Sequence, residues 1–128
     1  MSSRGNETIL LVEDERAVRA LTRRVLEGNG YTVLEAAGGV DAIERVEHHE
    51  GPIHLLLTDV VMPGMSGLAV FESISALRPG IKVLYLSGYT PNAIVHHGIL
   101  GAGTPFLEKP FTPGTLTGKV REVLDSSG

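Results

Sequence analysis

Residues 8–15 read TILLVEDE, a short and largely aliphatic run that ends in three consecutive acids. The run is rich in β-branched residues and too short for a typical globular helix. Both features favour a strand that is buried on the two faces of a parallel sheet. Acids directly after such a strand would lie at the carboxyl edge of the sheet. This stretch therefore predicts both the kind of sheet and the edge at which polar chemistry collects.

The same unit, an apolar run followed by an amphipathic segment, recurs along the chain. Strands are predicted at residues 8–12, 32–36, 53–58, 82–86 and 106–108. Five helices follow them, with apolar positions at Val18, Leu21, Val25 and Leu26; at Val40, Ile43 and Val46; within residues 68–77; at Ile94, Val95 and Ile99; and at Leu116, Val120, Val123 and Leu124. This alternation predicts an α/β domain of the flavodoxin-like (βα)5 type, a doubly wound parallel sheet with strand order 2-1-3-4-5. We expect the domain to span residues 8–125, between flexible tails at 1–7 and 126–128.

Composition narrows the classes of protein. The 128 residues are 42% hydrophobic and 20% charged, which is typical of one soluble globular domain. The absence of cysteine excludes disulfide scaffolds, thiolate zinc sites and cysteine nucleophiles. A net charge of −4 disfavours direct binding to nucleic acid, and no apolar run approaches the ~20 residues that cross a membrane. We therefore expect a cytoplasmic domain without membrane contact.

Chemically active side chains stand at the predicted strand ends. Glu13 and Asp14 follow the first strand, Asp59 the third, Ser87 the fourth and Lys109 the fifth. Because parallel strands end at one edge, we expect these residues to share a cleft. Three carboxylates in one cleft repel one another, and a hard divalent cation relieves that repulsion. A carboxylate nucleophile, a metal, a hydroxyl and an ammonium group together suit phosphoryl transfer to an aspartate.

Four segments carry a family resemblance: LLVEDE at 10–15, TDVVMPGMSG at 58–67, LSGY at 86–89 and FLEKPF at 106–111. In this order and at these strand ends, they make the chain resemble the receiver domains of bacterial two-component response regulators. The resemblance covers residues 8–124. The sequences of the third and fourth segments are most similar to those of receivers attached to hybrid sensor histidine kinases.

The resemblance implies a metal site and a phosphoacceptor. Asp59 would accept the phosphoryl group and also bind Mg²⁺ or Mn²⁺. Asp14 would be the direct acidic ligand, and Glu13 would support the metal through water. The backbone carbonyl of Val61 would complete the protein's share of the coordination. Glu13 stands where the family often has aspartate, which would lengthen the reach to the metal.

The resemblance also implies how the phosphoryl group is read. Ser87 and Lys109 would bind its oxygens, and the Lys109–Pro110 peptide bond would be cis. Ser87 and Phe106 would form the switch. Phe106 stands where a tyrosine is often found, so it keeps the ring and lacks the hydroxyl.

The implied function is that of a signalling domain rather than a true enzyme, since it catalyses only its own phosphorylation and dephosphorylation. The phosphoryl donor would be a phosphohistidine of a histidine kinase or of a histidine phosphotransfer domain. Partners, including a second copy of the chain in a homodimer, would bind the face made by the fourth predicted helix, the fifth strand and the fifth predicted helix.

The sequence disfavours two alternative functions and leaves a third open. A phosphatase of the haloacid dehalogenase type has the motif Asp-x-Asp at the end of its first strand. Here the candidate nucleophile, Asp59, ends the third strand, and Val61 stands where the second aspartate, the general acid, would be. A flavin binder would need a phosphate loop rich in hydroxyl groups and glycine where this chain has three acids. A pseudo-receiver that only binds proteins remains open; the intact acidic site argues against it, and phosphorylation by a small acyl phosphate would decide.

Overall fold

The structure, a computed structural model, describes residues 4–88 and 104–126. Five strands and four helices lie within these ranges, in the order β1 (Thr8–Val12), α1 (Arg16–Gly28), β2 (Thr32–Ala36), α2 (Gly39–His48), β3 (Leu55–Asp59), α3 (Gly67–Leu77), β4 (Lys82–Ser87), β5 (Phe106–Glu108) and α4 (Pro113–Asp125). The helix predicted around Ile94, and Tyr89 of the third sequence segment, lie outside the described residues.

The strands form one parallel sheet in the order β2-β1-β3-β4-β5, which confirms the predicted fold class. The bounds of β1, β2 and β5 are those predicted. Strand β3 begins at Leu55 rather than Ile53 and continues through Asp59, because Asp59 still pairs with Leu86 of β4. The aspartate is thus part of the sheet and not of the loop after it.

Strand β1 lies inside the sheet, between β2 and β3, and shows how both faces are covered. Four of its residues have no exposed surface. Ile9 and Leu11 pack in a cluster with side chains of α1 and α4, whereas Leu10 and Val12 pack in a cluster with side chains of α2 and α3. This two-sided burial is what the continuous apolar run predicted. It gives the acids that follow β1 a rigid base.

Two residues predicted on buried helix faces are exposed. Leu21 is 59% exposed, because the buried face of α1 runs through Thr22 and Leu26, four residues apart. Thr22 is tolerated there because its hydroxyl donates to the carbonyl of Val18 at 2.7 Å. Val40 is 73% exposed, since α2 buries Gly39, Ala42 and Val46 instead. The predictions for Leu21 and Val40 were therefore wrong.

The starts of the last two described helices follow local capping rules. Ser66 accepts a hydrogen bond from the Ala69 amide at the start of α3. Thr112, which precedes the first residue Pro113 of α4, and Thr115 in its first turn form a reciprocal capping box. Among the residues described, no helix is long and apolar enough to cross a lipid bilayer.

Arg121 of α4 joins the N-terminal segment to the body of the domain. Its guanidinium donates to both carboxylate oxygens of Glu7, at 3.1 and 2.7 Å, and to Asp125. The Gly5 amide adds a hydrogen bond to the Asn29 carbonyl at 3.0 Å. Hydrogen bonding to Arg121 lowers the pKa of Glu7 from 4.5 to about 2. Residues 4–7, expected as tail, therefore contact the domain.

Candidate functional site

The carboxyl ends of four strands meet in a cleft of about 120 Å³. It is lined by Asp14 after β1, Asp59 and Val61 at and after β3, Ser87 at the end of β4, and Lys109 after β5. Asp59 and Ser87 are 5% and 6% exposed, and Asp14 is exposed at the rim. The structure thus gathers residues that are far apart in the sequence, as the strand-end argument expected.

Lys109 bridges two of the buried acids. Its ammonium nitrogen lies 2.6 Å from Asp59 Oδ1 and 2.9 Å from Glu13 Oε1. Glu13 has no exposed surface, so it lies beneath the cleft rather than on its rim. One ammonium group facing three carboxylates leaves the cluster with excess negative charge. The pairing of Lys109 with Glu13 was not expected, since the sequence assigned Lys109 only to phosphoryl oxygens.

The donor set fits a hard divalent cation such as Mg²⁺. Glu13, Asp14 and Asp59 each offer a carboxylate oxygen, and these atoms all lie within 4.8 Å of one another. Glu13 Oε2 is buried and accepts no hydrogen bond from the residues described. Asp59 Oδ1 likewise accepts none with good alignment and is held by its ion pair with Lys109. Buried oxygens that lack donors next to a carboxylate at the rim are ligands that Mg²⁺ accepts, alongside water.

The protonation of Asp59 reflects two opposing effects. Burial raises the pKa of its carboxyl group, and the adjacent ammonium group of Lys109 lowers it, with burial the larger effect. The fold therefore disfavours the ionised aspartate when no cation shares the site. A bound divalent cation acts in the opposite direction, because an adjacent positive charge favours the carboxylate.

Gly67 fixes the backbone behind Asp59. Its amide donates to the Val60 carbonyl at 2.8 Å, and a Cβ on Gly67 would lie only 2.0 Å from the Asp59 carbonyl oxygen. Only glycine allows the start of α3 to come this close to the end of β3. Gly67 ends the second resemblance segment, but its residue type alone did not predict this close approach. A glycine directly after the Ser66 cap, at a helical position, was the available hint.

The residues expected to form the switch share one face of the sheet. Ser87 lies two positions after Tyr85 on β4, so both side chains point to the same face. Tyr85 pairs with Phe106 of β5, and Phe106 packs against the small cluster of Tyr85 and Val60. Burial raises the pKa of Tyr85 to about 12, so its hydroxyl stays neutral.

Two further expectations concern single backbone groups. The Lys109–Pro110 peptide bond is cis, which confirms the feature that the resemblance implied. The Lys109 amide donates to the Ser87 carbonyl at 2.7 Å and so joins the ends of β4 and β5. Val61 lines the cleft and is 61% exposed, while the metal-binding role of its carbonyl stays a prediction.

A parallel sheet in this order, with an acid cluster and a lysine at its carboxyl edge, defines the class of the domain. The family model described as "Response regulator receiver domain" matches residues 9–121. The chain belongs to this family, the receiver domains of two-component systems.

Particular relatives narrow the resemblance. The chain is 41% identical to the sensor kinase CckA of Brucella abortus (strain 2308) over 121 residues, which cover 94% of this chain and 13% of that protein. It is 32% identical to the response regulator receiver protein CpdR of the same strain over 116 residues, covering 91% of this chain and 95% of that protein. The chain thus spans a small part of one relative and nearly all of the other.

Solved structures agree with these relatives. The crystal structure of the receiver domain from the hybrid histidine kinase CckA has a TM-score of 0.77 and 37% identity, covering 92% of this chain and 99% of that one. The chemotaxis protein CheY4 of Vibrio cholerae has a TM-score of 0.80 and 26% identity, covering 93% and 99%. The resemblance to receivers of hybrid kinases, first read from the sequence, is therefore confirmed.

Proposed function

We propose that the domain accepts a phosphoryl group on Asp59 from a phosphohistidine of a histidine kinase or histidine phosphotransfer domain. The observation that carries the proposal is the setting of Asp59. It ends a fully buried strand, opens into the cleft, and lies beside Lys109 and within 4.8 Å of oxygens of Glu13 and Asp14. Family membership supports the same chemistry.

In the proposed transfer, a carboxylate oxygen of Asp59 forms a bond to phosphorus. The bond from phosphorus to the donor's imidazole nitrogen breaks, and the imidazole keeps that electron pair. Lys109, which pairs with the carboxylate before transfer, is close enough to pair with a phosphoryl oxygen after it. Ser87 contributes a hydroxyl donor from the neighbouring strand end.

Glu13, Asp14, Asp59 and the Val61 carbonyl would hold Mg²⁺ or Mn²⁺. The ion would supply positive charge that offsets the repulsion between these acids and an incoming phosphoryl group. The chain's own contribution is to keep the acids together before the donor arrives. The sheet does this by holding Glu13 and Asp59 at the ends of adjacent buried strands, β1 and β3.

Ser87 and Phe106 would transmit phosphorylation of Asp59 as a conformational change. A phosphorylated Asp59 would draw the Ser87 hydroxyl toward it, and space would open on the face that Ser87 shares with Tyr85 and Phe106. The Phe106 ring could then turn inward, its preference set by packing alone because it lacks a hydroxyl. Partners, including a second copy of the chain, would bind the surface formed by β5, α4 and the predicted helix around Ile94.

Mass spectrometry after incubation with acetyl phosphate and Mg²⁺ tests the acceptor. Wild type and Asp41→Asn, the matched control on α2, should gain one phosphoryl mass, whereas Asp59→Asn should gain none. A labelled Asp59→Asn protein would overturn the assignment. If no variant is labelled, the pseudo-receiver reading replaces the proposal.

Backbone NMR shifts on adding beryllofluoride, a phosphoryl mimic, with Mg²⁺ test the switch. They should spread from Asp59 through Ser87 to Phe106. Shifts that stop in the loop after β3 would leave Phe106 as ordinary core packing and the switch wrong.

The relatives support a place for this domain in a cytoplasmic phosphorelay. One of them, of which this chain covers only a small part, carries the name of a sensor kinase, and another is named a response regulator receiver protein. In either setting the domain would exchange a phosphoryl group with a histidine-bearing partner. Neither phosphoryl transfer nor the switch requires contact of this domain with nucleic acid or a membrane.

A further inference from the structure

The loop that carries Glu13 and Asp14 is held from both ends by one residue, Arg19 of α1. Its guanidinium Nη1 donates to the Glu13 carbonyl at 2.7 Å, and its own amide donates to the Glu15 carbonyl at 2.9 Å. Asp14, the carboxylate at the rim of the cleft, lies between these two carbonyls. We propose that Arg19 is a positioning residue that fixes the acidic loop in its cation-binding conformation.

The hydrogen bond from Arg19 restrains the orientation of a peptide plane. In a trans peptide the carbonyl and the following amide point in opposite directions, so fixing the Glu13 carbonyl also fixes the Asp14 amide. The Glu13 amide is already bound to the Ala36 carbonyl of β2 at 3.1 Å. With Arg19 on the other side, both backbone groups of Glu13 are held. The peptide plane before Asp14 is thus held by the Arg19 side chain, and the Glu13 amide by the sheet.

The guanidinium itself is well anchored. Its Nε lies 3.5 Å from Glu35 of β2, and the side chain is only 18% exposed. Arg23, one turn further along α1, also pairs with Glu35 but is 44% exposed, and its other ion pair is with Glu27. Arg19 and Arg23 therefore share a helix, a charge and an acidic partner, and only Arg19 also contacts the acidic loop.

Electrostatics and positioning predict opposite effects of removing Arg19. Deleting a positive charge near a cation site should strengthen cation binding if long-range charge were the only role of the arginine. Freeing the Glu13 carbonyl should weaken cation binding, because contacts that orient the metal ligands without touching the metal commonly contribute tenfold or more to affinity. The sign of the change thus separates the two roles. The proposal deepens the function proposed above and rests on it.

The test is a titration of metal-free protein with Mg²⁺ alone, followed by backbone NMR. We expect Arg19→Ala to bind Mg²⁺ about tenfold more weakly than wild type. Arg19→Lys should recover part of the loss, because an ammonium group can still donate to one carbonyl. Arg23→Ala, the matched control, should bind as tightly as wild type or more tightly. Urea unfolding of each variant verifies that the fold is intact.

A second measurement needs no metal. Hydrogen exchange of the Asp14 amide should be faster in metal-free Arg19→Ala than in wild type and in Arg23→Ala. Unchanged Asp14 exchange, or equal changes of Mg²⁺ affinity in Arg19→Ala and Arg23→Ala, would overturn the positioning role. Asp14→Asn belongs in the same series. If it binds Mg²⁺ like wild type, the proposed metal site fails, and the exchange of the amide alone decides whether Arg19 holds the loop.

Discussion

Replacing Gly67 with alanine probes the close backbone approach behind Asp59. The added Cβ would lie 2.0 Å from the Asp59 carbonyl oxygen, 2.9 Å from the Asp59 carbonyl carbon and 3.1 Å from the Val60 Cα. All three atoms belong to the backbone of β3 and its end, so no flexible side chain can move aside. The start of α3 and the end of β3 must separate by about 1.4 Å before ordinary contact distance is reached.

The cost of that separation follows from the contacts it strains. Overpacking of a rigid site costs about 1–3 kcal/mol, and loss of the 2.8 Å hydrogen bond from the Gly67 amide to Val60 costs about 1 kcal/mol more. Alanine returns about 1 kcal/mol, since it is the better helix former. We expect Gly67→Ala to lower the free energy of unfolding by about 1–3 kcal/mol, since the hydrogen-bond loss and the helix-propensity gain nearly cancel. It should also slow labelling by acetyl phosphate, because the Asp59 backbone is displaced.

Urea unfolding followed by circular dichroism measures this change, and Gly118→Ala is the matched control. Gly118 lies inside α4 and is exposed. Apart from the backbone of its own helix, no described heavy atom lies within 4 Å of where its Cβ would be. The same substitution should there raise the free energy of unfolding by about 0.5–1 kcal/mol. If Gly67→Ala instead stays within about 0.5 kcal/mol of wild type, the close approach is not a constraint and its assigned role is wrong.

Three further predictions concern charged groups. Because Arg121 lowers the pKa of Glu7 from 4.5 to about 2, its stabilisation is present above pH 4.5 and is lost as pH falls toward 2. Between pH 4.5 and 2, Glu7→Gln should lose about 1 kcal/mol less free energy of unfolding than wild type, after allowance for solvent screening of this partly exposed pair. Urea unfolding at each pH measures this difference, and parallel plots of unfolding free energy against pH for the two proteins would refute the pairing. Asp14→Asn should weaken Mg²⁺ binding more than Glu13→Gln does, and the reverse order in an NMR titration would exchange their roles. Lys109→Ala should still bind Mg²⁺ but lose the NMR response to beryllofluoride beyond the cleft, and an unchanged response would contradict its role in reading the phosphoryl group.

The sequence predicted the sheet well because buried strands and strand-end acids are local patterns. The apolar run at 8–12 and the polar residues after it define β1 without reference to any partner. Helix faces were predicted less well. Leu21 and Val40 are apolar yet exposed, while Thr22 is polar yet buried. Hydrophobicity alone cannot identify the buried face when a threonine satisfies its own hydroxyl within the helix.

The sequence predicted which residues lie at the site but not which atoms they contact. The strand-end rule places Asp59, Ser87 and Lys109 at one edge, but it cannot say which oxygen the lysine meets. The contact of Lys109 with Glu13 spans 96 positions, and that of Arg121 with Glu7 spans 114. Such pairings depend on side-chain reach in the finished fold. The hydrogen bond from Arg19 to the Glu13 carbonyl leaves no trace in residue type, since any backbone offers that acceptor.

The acid cluster is unfavourable taken alone, and the surrounding fold explains why it persists. Glu13 is wholly buried with one oxygen lacking a donor among the residues described, and burial raises the pKa of Asp59. Glu13 follows β1 and Asp59 ends β3, two interior strands with buried aliphatic side chains on both faces, so the core holds the backbone that carries each acid. Lys109 offsets part of the repulsion from its position directly after β5, which pairs with β4 alone in the described sheet. The buried strands therefore keep the acids together, and the less enclosed β5 is followed by Lys109, the residue that changes partner in the transfer proposed above.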